Sequence, residues 1–209
     1  MSVIIDRLNV NPLVFLFAIS LSIISCNTRD PESNVIVSPQ RPAQQSRNLG
    51  LDKSPMDMCY FPVDYPIKKM SGSMTPLVAR IIYSRPHKDG RTIFGEIVKY
   101  GSPWRLGANE ATEIEFFRDI TIDKQKIAKG RYIIYSIPNK DSWTIILNND
   151  LYTWGLKIDP AKNAYSFNVP TYPTQTPVEL FTMEFAGKSY GMDLIIAWDR
   201  VRVALPIGL

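Results

Sequence analysis

Short runs of β-branched and aromatic residues, separated by glycine, proline, asparagine and aspartate, are the feature that most restricts how this chain can fold. They recur at strand length from about Met56 onward, and no long stretch shows the 3.6-residue period of an amphipathic helix. Turn residues lie between the runs, with hairpin-like stretches at 123–130 and 138–141. The pattern predicts strands at residues 58–63, 78–85, 112–117, 120–123, 131–137, 143–148, 164–169, 178–185, 192–198 and 200–205.

Alternation within the strands indicates that each has a buried face and an outer face. Around residues 142–147, Trp143, Ile145 and Leu147 are expected on one face, and Ser142 and Thr144 on the other. Many short strands with turns at this spacing predict an all-β fold. We therefore expect a single antiparallel β-sandwich or jelly-roll-like domain over residues 56–209.

The N-terminal segment has the features of a secretion signal. Residues 13–24, LVFLFAISLSII, form an apolar run of about a dozen residues, whereas a spanning helix needs about 20. The run ends in IISC at 23–26, which resembles the bacterial lipobox. We predict a lipoprotein signal peptide over 1–25, lipid attachment and a membrane anchor at Cys26, and a periplasmic or surface-facing location in the bacterial cell envelope. An ordinary signal peptide that ends near a cysteine is the alternative.

The next stretch predicts a tether. Residues 26–55 follow the signal, and from residue 27 they are rich in Pro, Ser, Asn, Gln and Arg and contain no aromatic residue. Such a sequence buries too little apolar surface to offset the entropy of ordering it, so we expect a flexible linker. The chain has 2 cysteines. With Cys26 lipidated, Cys59 has no disulfide partner, and it is expected to be a small buried apolar residue.

Four stretches carry a family resemblance: LDKSPMDMCYFPVDYP at 51–66, IIYSRPHKDGRTIFGEIVKYGSPWRLGANEATEI at 81–114, AKGRYIIYSIPNKDSWTIILN at 128–148 and IIAWDRVRVALPI at 195–207. In these the chain resembles the domain of unknown function 2911 family, over nearly all of residues 51–207. The resemblance implies a β-rich protein, often exported or lipid-anchored in bacteria. It implies no activity, because the family has no established one, and it assigns no catalytic residue.

Charge is concentrated in one part of the chain. Between Arg80 and Arg105 there are six Lys or Arg and two acidic residues, an excess equal to the net charge of +4 of the whole chain. An acidic stretch, 110–123, follows. One interpretation is an anion-binding face that includes Arg85 and Arg91, since guanidinium groups bind carboxylate or phosphate through paired hydrogen bonds. The other is a solvated belt in which the basic and acidic stretches pair with each other.

The stretch SPWRLGANEAT, residues 102–112, is the most site-like. It places Trp104, Arg105, Asn109 and Glu110 on a loop that leads into a strand. These groups fit an anionic, sugar or amino-acid-like ligand, with the indole as a stacking platform. The structural interpretation is that Trp104 plugs the end of the sandwich, Arg105 caps carbonyls or pairs with Glu110, and Asn109 makes a turn bond.

No motif for catalysis, a metal or a cofactor is recognisable, and His87 is the only histidine. Nucleic acid is not expected as a partner because an exported, tethered domain does not normally meet it, although the pI near 9.0 alone would permit it. The leading hypothesis is a lipid-anchored, non-catalytic module that binds a ligand or partner in the envelope. The competing one is a hydrolase-like envelope enzyme with an Arg, Asn and Glu pocket. The oligomeric state does not follow from the sequence.

Overall fold

The computed structural model describes residues 52–209. The predicted signal peptide, Cys26 and most of the predicted linker lie outside these residues. The elements are β1 (Met56–Phe61), α1 (Tyr65–Met70), β2 (Ala79–Ser84), β3 (Glu113–Phe116), β4 (Ile120–Ile122), β5 (Gln125–Ile127), β6 (Gly130–Pro138), β7 (Ser142–Asn148), a 3-10 turn (Pro160–Lys162), β8 (Asn163–Lys188) and β9 (Gly191–Gly208).

The nine strands hydrogen-bond in the order β1-β2-β3-β6-β7-β8-β9-β4-β5, and every neighbouring pair is antiparallel. The long strand β8 folds this sheet into two layers. Its first part pairs with β7 up to Pro170, and from Thr171 it pairs with β9. The result is an all-β antiparallel sandwich, as predicted.

The core lies between the two layers. Phe61 on β1 packs edge-on against Phe185 on β8, and Tyr83 on β2 packs edge-on against Phe181 on β8. Alternation sets which side chains point inward. The side chains of β7 follow the prediction: Trp143, Ile145 and Leu147 are fully buried, whereas Ser142 and Thr144 are only half-buried.

The structure corrects two predicted strand boundaries. The stretches 164–169 and 178–185 belong to one strand, β8, which continues through the Pro-containing segment between them with shifts of register. Likewise 192–198 and 200–205 form one strand, β9, in which Asp199 has a positive φ of 50°. In both places a turn signal marks a bend inside a strand, because a bulge absorbs a residue without ending the pairing.

Three short elements were not predicted, among them the 3-10 turn Pro160–Lys162. Strand β5 lies inside the hairpin-like stretch 123–130 and pairs with β4. Helix α1 begins just after Asp64 with a proline in its first turn, and it has no buried residue. No helix among residues 52–209 is long and apolar enough to cross a membrane.

Candidate functional site

The loop after β2 and the loop after β7 meet near the middle of β9 and enclose a cavity of about 360 Å³, which we call the arginine pocket. Residues from both loops, from the segment before β1 and from β9 form its lining. They are Ser54, Pro86, Arg91, Ile97, Val98, Pro103, Trp104, Arg105, Gly107, Ala108, Gly155, Leu156 and Trp198.

Trp104 forms the inner wall of the arginine pocket. Its backbone N–H and carbonyl both bond to Ser136 on β6, which fixes the loop to the sheet. Its indole is half-buried in an aromatic cluster, and its ring centre lies 5.1–6.0 Å from those of Phe94, Trp143, Phe181 and Trp198. The Trp198 ring is nearly parallel to it, at 17°. The wall is therefore held by packing on several sides.

The backbone of this loop is strained and tightly seated. Leu106 and Asn109 have positive φ values of 56° and 58°, which non-glycine residues seldom adopt. Gly107, at φ 147°, lies so close to β2 that a Cβ there would approach the Ser84 carbonyl oxygen to 2.9 Å. The Thr112 hydroxyl donates to the Leu106 carbonyl at 2.6 Å. Strain of this kind persists only where the surrounding structure fixes it, so the pocket wall is preorganised.

Arg105 is half-buried in the lining, and its guanidinium donates to the Trp154 carbonyl at an N–O distance of 3.3 Å. Burial lowers the pKa of this guanidinium, and the charge of nearby Glu110 opposes that effect. Among residues 52–209, no carboxylate lies within salt-bridge distance of Arg105. Arg105 therefore brings a positive charge into the pocket that no carboxylate of residues 52–209 neutralises by contact.

Arg91 contributes a second guanidinium to the same lining. It is exposed, and it donates to two backbone carbonyls of its own turn, those of Lys88 at 2.9 Å and of His87. Within the described chain it too has no salt bridge. Carbonyl oxygens orient a guanidinium but leave its net charge in place.

The other three predicted site residues lie outside the lining. Arg85 donates to the Asp57 carboxylate at 2.9 Å, the Phe181 carbonyl at 3.2 Å and the Thr182 hydroxyl at 3.1 Å, so it joins β1 to β8. Asn109 donates to the Ser54 carbonyl at 3.3 Å. Glu110 is exposed. The structure thus brings Arg91, Trp104 and Arg105 together and gives Arg85 and Asn109 structural contacts.

Part of the basic and acidic sequence forms pairs on the outer face of β2, β3 and β6. Arg80 forms a salt bridge with Glu115, and Arg131 lies 3.7 Å from Glu113. We call these four residues the paired belt. The two sequence interpretations therefore describe different residues: the belt pairs with itself, whereas Arg91 and Arg105 form no salt bridge with any other described residue.

Cys59 is half-buried on β1 and packs against the core. Burial, together with the charges of Asp57 and Glu184, raises the pKa of its thiol to about 12. A neutral thiol is a poor nucleophile. Among residues 52–209, no group of three or more His, Cys, Asp or Glu side chains is arranged to hold a metal ion.

Sequence reasoning did not place Trp198, Gly155 and Leu156 at this site. Trp198 is 2% exposed, and the apolar run 194–197 that precedes it in the sequence indicated only the core. Gly155, at φ 78°, lets the second loop approach, since a Cβ there would lie 3.1 Å from the Arg105 Cβ. In the sequence, Gly155 directly after Trp154 was the only local indication that the loop after β7 could pack closely against another segment.

Comparison with models of known protein families identifies the family of this chain. The model of the family described as "Protein of unknown function (DUF2911)" matches residues 66–207. The chain belongs to this family. The resemblance predicted from the sequence is thereby confirmed. No curated protein and no solved structure matches the chain. The matched part of this DUF2911 protein runs from α1 to near the end of β9 and contains all of the arginine pocket except Ser54.

Proposed function

We propose that this DUF2911 protein is a non-catalytic binding module, tethered to the bacterial cell envelope by lipid on Cys26, and that the arginine pocket binds a small anion with a flat apolar part. The observation that carries the proposal is the pair of arginines in one preorganised pocket. Neither Arg91 nor Arg105 has a salt bridge among residues 52–209, although several carboxylates elsewhere in the domain do.

Electrostatics favours an anionic ligand. Arg105 is half-buried, and a charge removed from water without a counter-ion loses solvation energy. A carboxylate or phosphate in the pocket would restore that energy through charge-assisted hydrogen bonds, which are about twice as strong as neutral ones. Two guanidiniums also suit an anion with two or more oxygen atoms.

The remaining lining favours a flat apolar part in the same ligand. Trp104, Ile97 and Leu156 border the cavity, and Ile97 and Leu156 are 50% and 75% exposed. Exposed apolar groups at the mouth of a cavity gain free energy when a ligand covers them. An aromatic or unsaturated carboxylate combines both requirements.

The lining supports binding better than catalysis. Guanidinium, indole and aliphatic groups with a single serine hydroxyl provide orientation and charge, whereas proton transfer near neutral pH uses groups such as imidazole or carboxylate. The hydrolase-like alternative required Asn109 and Glu110 in the pocket, and neither lines it.

The test of the pocket uses a charged probe and its neutral isostere. The full chain, in a mild sugar-free detergent, is titrated by calorimetry with benzoate and with benzamide. Benzoate should bind, benzamide should not, and Arg105→Gln should weaken benzoate binding by about tenfold or more. Arg118→Gln is the matched control, because Arg118 is exposed and lies outside the pocket. Equal binding of both probes, or equal binding by wild type and Arg105→Gln, would overturn the anion site.

The anchor needs a separate test. Cells that express the wild type and Cys26→Ala are labelled with a palmitate analogue. We expect label on the wild type, none on Cys26→Ala, and loss of membrane association for that variant. Cys59→Ala is the control for the other thiol and should label normally. Equal labelling of Cys26→Ala and wild type would refute the anchor and leave the pocket proposal intact.

A further inference from the structure

A second cavity, of about 570 Å³, opens between the first half of β8 and the last part of β9. Its floor is apolar: Phe167, Val169 and Leu205 line it and are only 2–4% exposed. Leu205 lies seven residues after Trp198 along β9. At about 3.3 Å per residue this places the two cavities roughly 20 Å apart along the strand. The volume falls in the range of about 300–1,000 Å³ typical of small-molecule sites.

Two tyrosines flank this cavity with their rings open to solvent. Tyr172 on β8 and Tyr190 in the turn before β9 are 48% and 49% exposed. A half-exposed aromatic ring beside a cavity offers a flat apolar surface that a ligand can cover. The phenol hydroxyl adds a hydrogen-bonding group at the edge of the same surface.

The position of Tyr190 is fixed by its surroundings. Its hydroxyl donates to the Asp193 carboxylate, and its backbone carbonyl accepts from the Leu209 N–H at 3.1 Å. Asp193 is only 8% exposed, and the Lys188 Nζ lies 3.5 Å from its second oxygen. The next residue, Gly191, is seated so closely that a Cβ would meet the Ile207 carbonyl oxygen at 2.4 Å. The tyrosine ring is thus held in place before any ligand binds.

The polar groups of the rim are mainly acceptors. Asp123, in the β4–β5 turn, and Asn168, on β8, line the cavity and are exposed, and Asp193 lies beside them. The charged residues of the lining are Asp123 and Asp193, and Lys188 pairs with the second. An anion is therefore disfavoured here, in contrast to the arginine pocket. The rim fits a neutral ligand that donates several hydrogen bonds.

We infer that this second cavity is a saccharide-binding site. A pyranose ring has an apolar face of C–H groups, which would lie on Tyr172 or Tyr190, and a rim of hydroxyls, which would donate to Asp123 and Asn168. A neutral sugar is the ligand class that needs an aromatic platform and several acceptors together. The inference does not depend on the lipid anchor or on the arginine pocket.

Saturation-transfer NMR and calorimetry on the full chain test this site, in the same sugar-free detergent. The probes are cellotriose, maltotriose and tri-N-acetylchitotriose. At least one should bind, and Tyr172→Ala should weaken that binding by about tenfold or more. Asn168→Ala provides a second variant that removes a polar contact and leaves both rings in place. The control, Tyr152→Ala, removes a tyrosine that is 83% exposed and lies outside both cavities, and it should bind as the wild type does.

Three results would overturn the inference. The first is that none of the three probes binds at 10 mM, which is about ten times a Kd of 1 mM. The second is that Tyr172→Ala, Asn168→Ala and the wild type bind with equal affinity, and the third is that Tyr152→Ala loses as much affinity as Tyr172→Ala. Thermal melts of each variant separate a loss of fold from a loss of binding. Because benzoate binding should be unchanged in Tyr172→Ala, failure here is distinguishable from failure of the arginine pocket.

Discussion

The arginines of the paired belt and those of the arginine pocket come from neighbouring parts of the sequence but have different partners. On the belt, Arg80 and Arg131 each form a salt bridge with a glutamate of β3. At the pocket, Arg91 and Arg105 donate to backbone carbonyls. The belt arginines are neutralised by the fold itself, whereas the pocket arginines have no salt bridge among residues 52–209.

Strand register explains the pairing on the belt. Arg80 lies directly opposite Glu115 between β2 and β3. Arg131 also lies opposite Glu115, between β3 and β6, and its salt bridge goes to the diagonal neighbour Glu113, two residues away on the same face of β3. Cross-strand neighbours of opposite charge on one face stabilise a sheet. The pocket arginines lie on loops, where no register places a carboxylate beside them. The belt arginines, on strands, are therefore paired with glutamates across the sheet, whereas the pocket arginines, on loops, have no such cross-strand partner.

The largest effect is expected from removing the wall of the pocket. Trp104→Ala should lower the free energy of unfolding by about 3 kcal/mol, at the low end for a buried aromatic because the indole is only half-buried. Four aromatic neighbours lose their contact with it. Chemical denaturation measures the change. Trp154→Ala, at a tryptophan that is 52% exposed, is the control and should cost no more than about 0.5 kcal/mol. Similar losses in both variants would contradict a packed wall.

Arg85 provides the next test, since it is basic like Arg91 but structural. Arg85→Ala removes donors to the Asp57 carboxylate, the Phe181 carbonyl and the Thr182 hydroxyl, so it should destabilise the domain by about 1–3 kcal/mol. Arg91→Ala should change stability by no more than about 0.5 kcal/mol, because Arg91 is exposed. Urea denaturation of the two variants in parallel measures the difference. The comparison fails if Arg91→Ala is the more destabilising.

Alkaline pH is expected to destabilise the part of the core formed by β1 and β2, where Cys59 and Tyr83 lie. Burial raises the pKa of the Cys59 thiol from 9.0 to about 12 and that of the Tyr83 phenol from 10.0 to about 12. Both pKa values are raised on folding, so their contribution is fully present below pH 9 and is lost as pH rises towards 12. Stability should therefore fall through this window, and less steeply in Cys59→Ala and Tyr83→Phe. Thermal melts at several pH values measure the slope, and an unchanged slope in both variants would refute this origin.

The strands were predictable because local sequence determines them. On β7 the alternation of Trp143, Ile145 and Leu147 is visible in the local sequence, and all three are fully buried. The continuity of β8 was not predictable, because Pro170, Pro173 and Pro177 mark a break when only local signals are read. In the structure this segment is where β8 passes from β7 to β9, and the register shifts there accommodate the prolines.

The sequence predicted only residues of the arginine pocket that lie in the loop after β2. Arg91, Trp104 and Arg105 lie close in sequence and carry distinctive groups, so composition pointed to them. Trp198 and Leu156 reach the same cavity from β9 and from the loop after β7, and no local pattern reports such long-range contacts. Asn109 was misleading for a related reason: its amide bonds to Ser54, a residue in the stretch predicted to be linker.

The smallest expected effect is the difference in charge coupling between the paired belt and the arginine pocket. Double-mutant cycles measure the coupling of Arg80 with Glu115 and of Arg105 with Glu110. The first pair is a partly exposed salt bridge, with side chains 29% and 24% accessible, so its coupling should be about 0.5–1 kcal/mol. The second pair is not within salt-bridge distance, and Glu110 is exposed, so its coupling should be near zero. High salt should weaken the Arg80–Glu115 coupling and leave the Arg105–Glu110 coupling unchanged, because salt screens an existing interaction between exposed charges and the second pair has almost none to lose. A coupling of Arg105 with Glu110 equal to that of Arg80 with Glu115 would mean that the pocket guanidinium is already neutralised by its own loop, and an anionic ligand would then have no unpaired charge to bind.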